Sequence, residues 1–181
     1  MDLDLWLDRE LLERQNRLRQ EFWEILGEVG NAIAPTKLLT IHPNSQGIKL
    51  TRGNELNGFP YQVLDLVRDF DEQSGLNIRL LNWFGNGFFL FVLIGKNHPK
   101  APGEILQKHG WAISTVPDRW KYAAIVDPSG QLKAPNDLQL KELTYIQWVK
   151  PLPLAGSREA VRLQIETEVN NLIDLMLQKM G

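Results

Sequence analysis

The stretch Leu81–Lys96, LNWFGNGFFLFVLIGK, constrains the fold more than any other part of the chain. Glycine and asparagine interrupt a run of aromatic and aliphatic residues. Asn86-Gly87 fits the two central positions of a type I′ turn, which require positive φ and favour this dipeptide. That turn predicts a hairpin of Asn77–Phe84 with Phe88–Ile94, pairing Gly85 with Phe88, Trp83 with Leu90 and Asn82 with Phe91. One face would then carry Ile78, Leu80, Asn82, Phe84, Phe89, Phe91 and Leu93. The other would carry Arg79, Leu81, Trp83, Phe88, Leu90, Val92 and Ile94. Both faces are apolar, so both need cover, whereas an antiparallel sheet with one wet face shows cleaner alternation.

Two long amphipathic helices are available as cover. Leu11, Leu18, Phe22, Ile25, Val29 and Ile33 recur at helical spacing, with Trp23 and Leu26 widening the stripe. Asp8 is the expected N-cap, Leu7 and Leu12 an expected hydrophobic staple, and Pro35 the stop. Residues 2–7 form either an extra turn or a flexible arm. Near the C-terminus, Ser157 precedes Val161, Ile165, Val169, Leu172, Met176 and Met180. Either one helix lies on each sheet face, or both share one face and the other closes over a pocket or a second copy of the chain. The second arrangement is preferred.

Between these elements the sequence predicts a strand at Ile48–Thr51 and turns at Gly53, Asn57 and Gly58. Tyr61–Leu66 reads as a strand or a helical turn. A short helix is expected before Gly110, and strands at Trp111–Val116, Arg119–Val126 and Leu138–Val149. Asp127-Pro128-Ser129-Gly130 reads as a turn. Helix, several strands, helix gives an α+β fold, a mainly antiparallel twisted sheet packed by long N-terminal and C-terminal helices. The 181 residues suit one domain spanning 1–181.

Composition narrows the chemistry. The chain has no cysteine, which removes disulfides, thiolate metal sites and cysteine nucleophiles, and fits a cytoplasmic protein. The acidic start MDLDLWLDRE is unlike a signal peptide. The longest apolar run, Gly87–Gly95, falls far short of the ~20 residues of a spanning helix, so no membrane partner is expected. Net charge is −2. The basic segment 96–121 holds five bases and two acids together with Trp111 and Trp120. That surplus is too small for a nucleic-acid interface, and no nucleic-acid partner is expected.

Several motifs fail on inspection. Gly85-Asn86-Gly87 lacks the third glycine and following helix of a dinucleotide fingerprint, and no Walker sequence occurs. Asp69–Gly75 resembles a calcium loop, but its glycine falls one position late and Leu80 stands where the bidentate glutamate belongs. His42, His98 and His109 lack zinc-site spacing. No G-x-S-x-G elbow is present. The sequence thus gives no ground to expect a metal or cofactor.

Asn82 and Arg79 remain as polar residues within an apolar hairpin. Each needs a partner, because an unsatisfied buried polar group costs on the order of 1–3 kcal/mol. Asn82 is expected to bond a loop backbone, and Arg79 to reach the rim or pair with Asp65 or Asp69. In the functional alternative, both point into a pocket walled by Trp83 and Tyr61.

GIKLTRGNELNGFPYQVLDL followed by NWFGNGFF resembles an uncharacterised family of small bacterial proteins. The shared features are a lysine-bearing turn, a Gly-x-Pro-Tyr segment and a Trp/Phe-Gly hairpin over residues 47–95. No activity is assigned to that family, so no catalytic role carries over. The resemblance implies that Arg52, Tyr61, Asp65, Arg79, Asn82 and Trp83 form one neighbourhood. The expectation is a binding or interaction protein without catalysis, working as a homodimer. The alternative is an enzyme or carrier for a small polar or anionic molecule, with Arg79 binding the anion and Asp65 acting as base.

Overall fold

The structure is a computed structural model and describes residues 1–98, 103–132 and 145–178. Helices α1 (Leu3–Leu7), α2 (Arg9–Ala32) and α3 (Pro35–Ile41) precede a β-meander of β1 (Lys49–Leu56), β2 (Phe59–Arg68), β3 (Leu76–Trp83) and β4 (Gly87–Gly95). Then come α4 (Gly103–Lys108), β5 (Ala112–Ser114), α5 (Tyr122–Val126), a 3-10 turn at Pro128–Gly130, β6 (Gln131–Leu132), β7 (Tyr145–Pro151) and α6 (Arg158–Gln178). The strands form one antiparallel sheet in the order β1-β2-β3-β4-β7-β5-β6. The fold is α+β, with both terminal helices packed on the sheet.

Asp8 caps α2 by accepting from the Leu11 amide at 2.9 Å, and the Ser157 hydroxyl accepts from Ala160 N–H at the start of α6. Ala34, before Pro35, is extended, which ends α2 and lets proline open α3. The expected Leu7–Leu12 staple is not buried: both side chains are exposed. Residues 3–7 are a separate helical turn.

The β3–β4 hairpin departs from the expected register. Trp83 pairs with Gly87, Leu80 with Leu90 and Leu76 with Ile94. The loop therefore has three residues, Phe84-Gly85-Asn86, closed by the Asn86 amide donating to the Trp83 carbonyl at 2.9 Å. Gly85, at φ +80°, supplies the left-handed residue, and Asn86 does not adopt positive φ. The Phe84 ring instead packs edge-on against Phe22 of α2, with centroids 6.0 Å apart. A slip of three positions is odd, so it exchanges the faces of the whole β4 strand. Leu76, Ile78, Leu80 and Asn82 share a face with Phe88, Leu90, Val92 and Ile94. Arg79, Leu81 and Trp83 share the other with Phe89, Phe91 and Leu93. The two-residue turn with both central φ values positive does occur, at the other Asn-Gly: Asn57 (+50°) and Gly58 (+81°) join β1 to β2.

Both long helices cover the first face. Ile25, Leu26 and Val29 of α2, Leu38 and Ile41 of α3, and Ile165, Val169, Leu172, Ile173 and Met176 of α6 join the even-numbered β3–β4 residues in the larger core. A one-residue slip between Asp65 and Val67 brings Leu66 and Val67 together into that core. On the second face Leu81, Trp83, Phe89, Phe91 and Val149 pack under Tyr122 and Ile125. The expected strand at Arg119–Val126 is corrected here. Tyr122 and Ile125 point inward while Ala123 and Ala124 are exposed, a helical spacing of three. Part of the strand expected at Leu138–Val149 lies outside the described residues.

Candidate functional site

The six residues singled out in the sequence fall on two sides of the sheet. Tyr61, Asp65, Arg79 and Trp83 face α5. Arg52 and Asn82 face α2 on the opposite side, so one neighbourhood becomes two.

On the α5 side, β2 and β3 align Asp65 with Arg79. Arg79 Nε donates to Asp65 Oδ1 at 2.7 Å and Nη2 donates to Oδ2 at 2.9 Å, a bidentate fork. Asn77 Nδ2 donates to the same Oδ1 at 3.0 Å and to the Val67 carbonyl. Arg79 Nη1 donates to the Tyr122 hydroxyl. The guanidinium carbon lies 5.6 Å from the Phe70 ring and 5.3 Å from the Trp120 ring. Burial works to loosen the Arg79 proton, but Asp65 and Tyr122 more than offset it, and the group is held charged above its ordinary range. Burial pushes the Tyr122 hydroxyl up, against the pull of the Arg79 cation.

Beside this pair is a cavity of about 250 Å³ bordered by Thr51, Leu56, Tyr61, Arg79, Trp120 and Tyr122. It is smaller than the roughly 300–1,000 Å³ of typical ligand pockets. Trp83 does not line it. Its ring is buried, and its Nε1 donates to the Leu56 carbonyl at 3.0 Å. Asp65 already accepts three hydrogen bonds, which leaves it little capacity to act as a base. The pair neutralises itself and ties α5 and Trp120 to the sheet.

On the α2 side, Asn82 Nδ2 donates to Gln62 Oε1 at 3.1 Å, and Gln62 Nε2 donates to the Arg19 carbonyl at 2.7 Å. The partner of Asn82 is thus a side chain, not the loop backbone expected, and Gln62 makes the backbone bond. A groove of about 540 Å³ opens here between α2 and β1–β2, bordered by Arg19, Arg52, Asn54 and Gln62, among others. Tyr61 borders both cavities. Gly53 makes room for it, since a Cβ there would lie 2.5 Å from the Tyr61 ring.

A third polar cluster brings together histidines whose spacing carries no metal-site signature. His42 Nε2 lies 2.8 Å from Asp69 Oδ2, and His98 Nε2 lies 3.3 Å from His42 Nδ1. Both imidazoles are buried. Which ring nitrogen of each imidazole carries the proton sets donor and acceptor along this line of contacts. The residues are 27 and 56 positions apart, a separation no spacing motif captures. Among the described residues no group of three or more His, Asp or Glu could hold a metal ion, and no helix is long and apolar enough to cross a membrane. We find no match to a protein family, to a curated protein or to a solved structure.

Proposed function

We propose that this is a cytoplasmic binding or interaction protein without catalysis, which associates with a second copy through an arm formed by α1 and the first half of α2. The exposure of the arm carries this reading. Trp6 is 70% exposed and Leu7 68%, and Leu3, Leu5, Leu12 and Leu18 are exposed as well. Burial on α2 begins in earnest only at Ile25, although Leu11 and Leu18 continue the same apolar stripe toward the N-terminus. A contiguous apolar patch on a water-soluble helix marks an interaction surface.

Charge favours a second copy as the occupant. Asp2, Asp4, Asp8, Glu10 and Glu13 occupy the outer part of the arm against one base, Arg9. Arg14 and Arg17 follow. Two arms laid antiparallel about a two-fold axis set the acidic part of each beside the basic part of the other, with Leu11 and Leu18 along the seam. The carrier reading, with an anion held beside Arg79, has less support, because Asp65 already occupies the guanidinium fork.

Light scattering during gel filtration tests the pairing. The whole chain is expected to elute at twice the chain mass at micromolar concentration, and Leu11→Asp with Leu18→Asp at the chain mass with unchanged circular dichroism. A monomeric unsubstituted chain overturns the pairing.

A further inference from the structure

We infer that the groove between α2 and β1–β2 is a binding site for a small oxyanion, a molecule carrying a phosphate or carboxylate group, gripped by Arg52 and Arg19. The contrast with Arg79 carries the inference. Arg79 spends its fork on a buried carboxylate, whereas among the described residues no carboxylate lines this groove. Arg52 reaches it from β1 and Arg19 from α2. The Arg52 guanidinium carbon lies over the Trp23 ring, 4.9 Å from its centre. A guanidinium over an aromatic face is held by its charge without using its N–H groups, and those of Arg52 carry no hydrogen bond among the described residues. Arg19 Nη2 is steadied by Asn54 Oδ1 at 2.8 Å.

The floor is rigid. Gln62 is 2% exposed and bonded at both ends, to Asn82 on β3 and to the Arg19 carbonyl on α2. It therefore fixes the spacing of helix and sheet across which the two cations face the groove. Asn16 and Gln20 add neutral amide donors, with Gln20 partly held by Glu24 at 3.0 Å. A volume of about 540 Å³ admits a small metabolite. Two guanidinium groups with neutral amides suit the oxygens of phosphate or carboxylate better than a cation or an apolar ligand. Asn16, Arg19 and Gln20 belong to the arm, but helical spacing turns them away from Leu11 and Leu18, so the groove within one copy does not depend on the pairing of arms.

Isothermal titration of the whole chain with inorganic phosphate and with citrate, at ionic strength held constant by chloride, reads the site. Saturable binding of at least one is expected, and which one binds tells a phosphate-bearing ligand from a carboxylate. Arg52→Ala is expected to weaken binding by about tenfold or more, the loss of a charge-assisted hydrogen bond. Lys37→Ala, an exposed cation on α3, is expected to leave it unchanged. Should Arg52→Ala unfold, saturable shifts of the Gly53 amide and the Gln62 side-chain amide in the unsubstituted chain give the same support. Failure of both anions to saturate overturns the proposal. So does equal weakening by Lys37→Ala, or an absence of shifts at Gly53 and Gln62.

Discussion

Arg79 and Asp65 form a bidentate ion pair inside the sheet, the partnership that an arginine in an apolar strand requires. Their side chains are 13% and 5% exposed, so each charge depends on the other. Truncating Arg79 to alanine strands a buried carboxylate, and urea unfolding is expected to show a loss of about 3–5 kcal/mol. Replacing both, with Arg79→Met and Asp65→Leu, is expected to cost less than the single change, because an apolar pair leaves no uncompensated charge. A double variant at least as unstable as the single would mean the fork does more than neutralise itself. The need for a partner was legible from an arginine in an apolar strand, and Asp65 was one of two partners named. What the sequence concealed was the sheet face of each residue. Arg52 and Asn82 belong with Arg19 and Gln62, and that grouping depends on strand register and on where α2 crosses the sheet.

The β3–β4 hairpin shows why register was the hardest feature to read. When both faces of a strand are apolar, alternation no longer distinguishes one register from another. The decision passes to turn and tertiary contacts, and the three-residue loop sets Phe84 against Phe22 and leaves Asn86 outside the ladder. Gly85→Ala places a side chain at φ +80°, and thermal unfolding is expected to show a loss of about 1–2 kcal/mol. Gly85→Asn is expected to cost less, because asparagine tolerates that region better. Equal stability of Gly85→Ala and the unsubstituted chain would point to the two-residue turn instead. The long helices were readable because each has one apolar stripe and a cap, Asp8 or Ser157. The segment Arg119–Val126 was not, because five helical residues are too few to show a period against an alternating background.

At the scale of the molecule, the two sheet faces are held by different means. One is sealed by both long helices with α3 and α4 over a large apolar core, the other by a five-residue helix fastened through Tyr122 and Arg79. Burial raises the Tyr122 hydroxyl above its ordinary value near 10. Its contribution is therefore complete below about pH 10 and lost as pH climbs through the folded value. Tyr122→Phe is expected to lower stability at neutral pH by about 1.5–3 kcal/mol, the loss of a hydrogen bond to a charged group. Stability of the variant should also fall less steeply above pH 10, while Tyr145, likewise raised by burial, still contributes to the slope. Equally steep alkaline limbs in guanidinium titrations would show that Tyr122 is not the group that titrates.

The one-residue slip in β1 between Gly53 and Leu56 has a consequence for solubility. β1 is the terminal strand of the sheet, and its outer hydrogen-bonding groups offer a template to any extended chain. The slip twists that template out of line, and exposed Lys49, Arg52 and Glu55 place charge along it. A strand from another molecule meets a bent and charged margin, so growth by sheet extension, the route to fibrils, is discouraged at this edge.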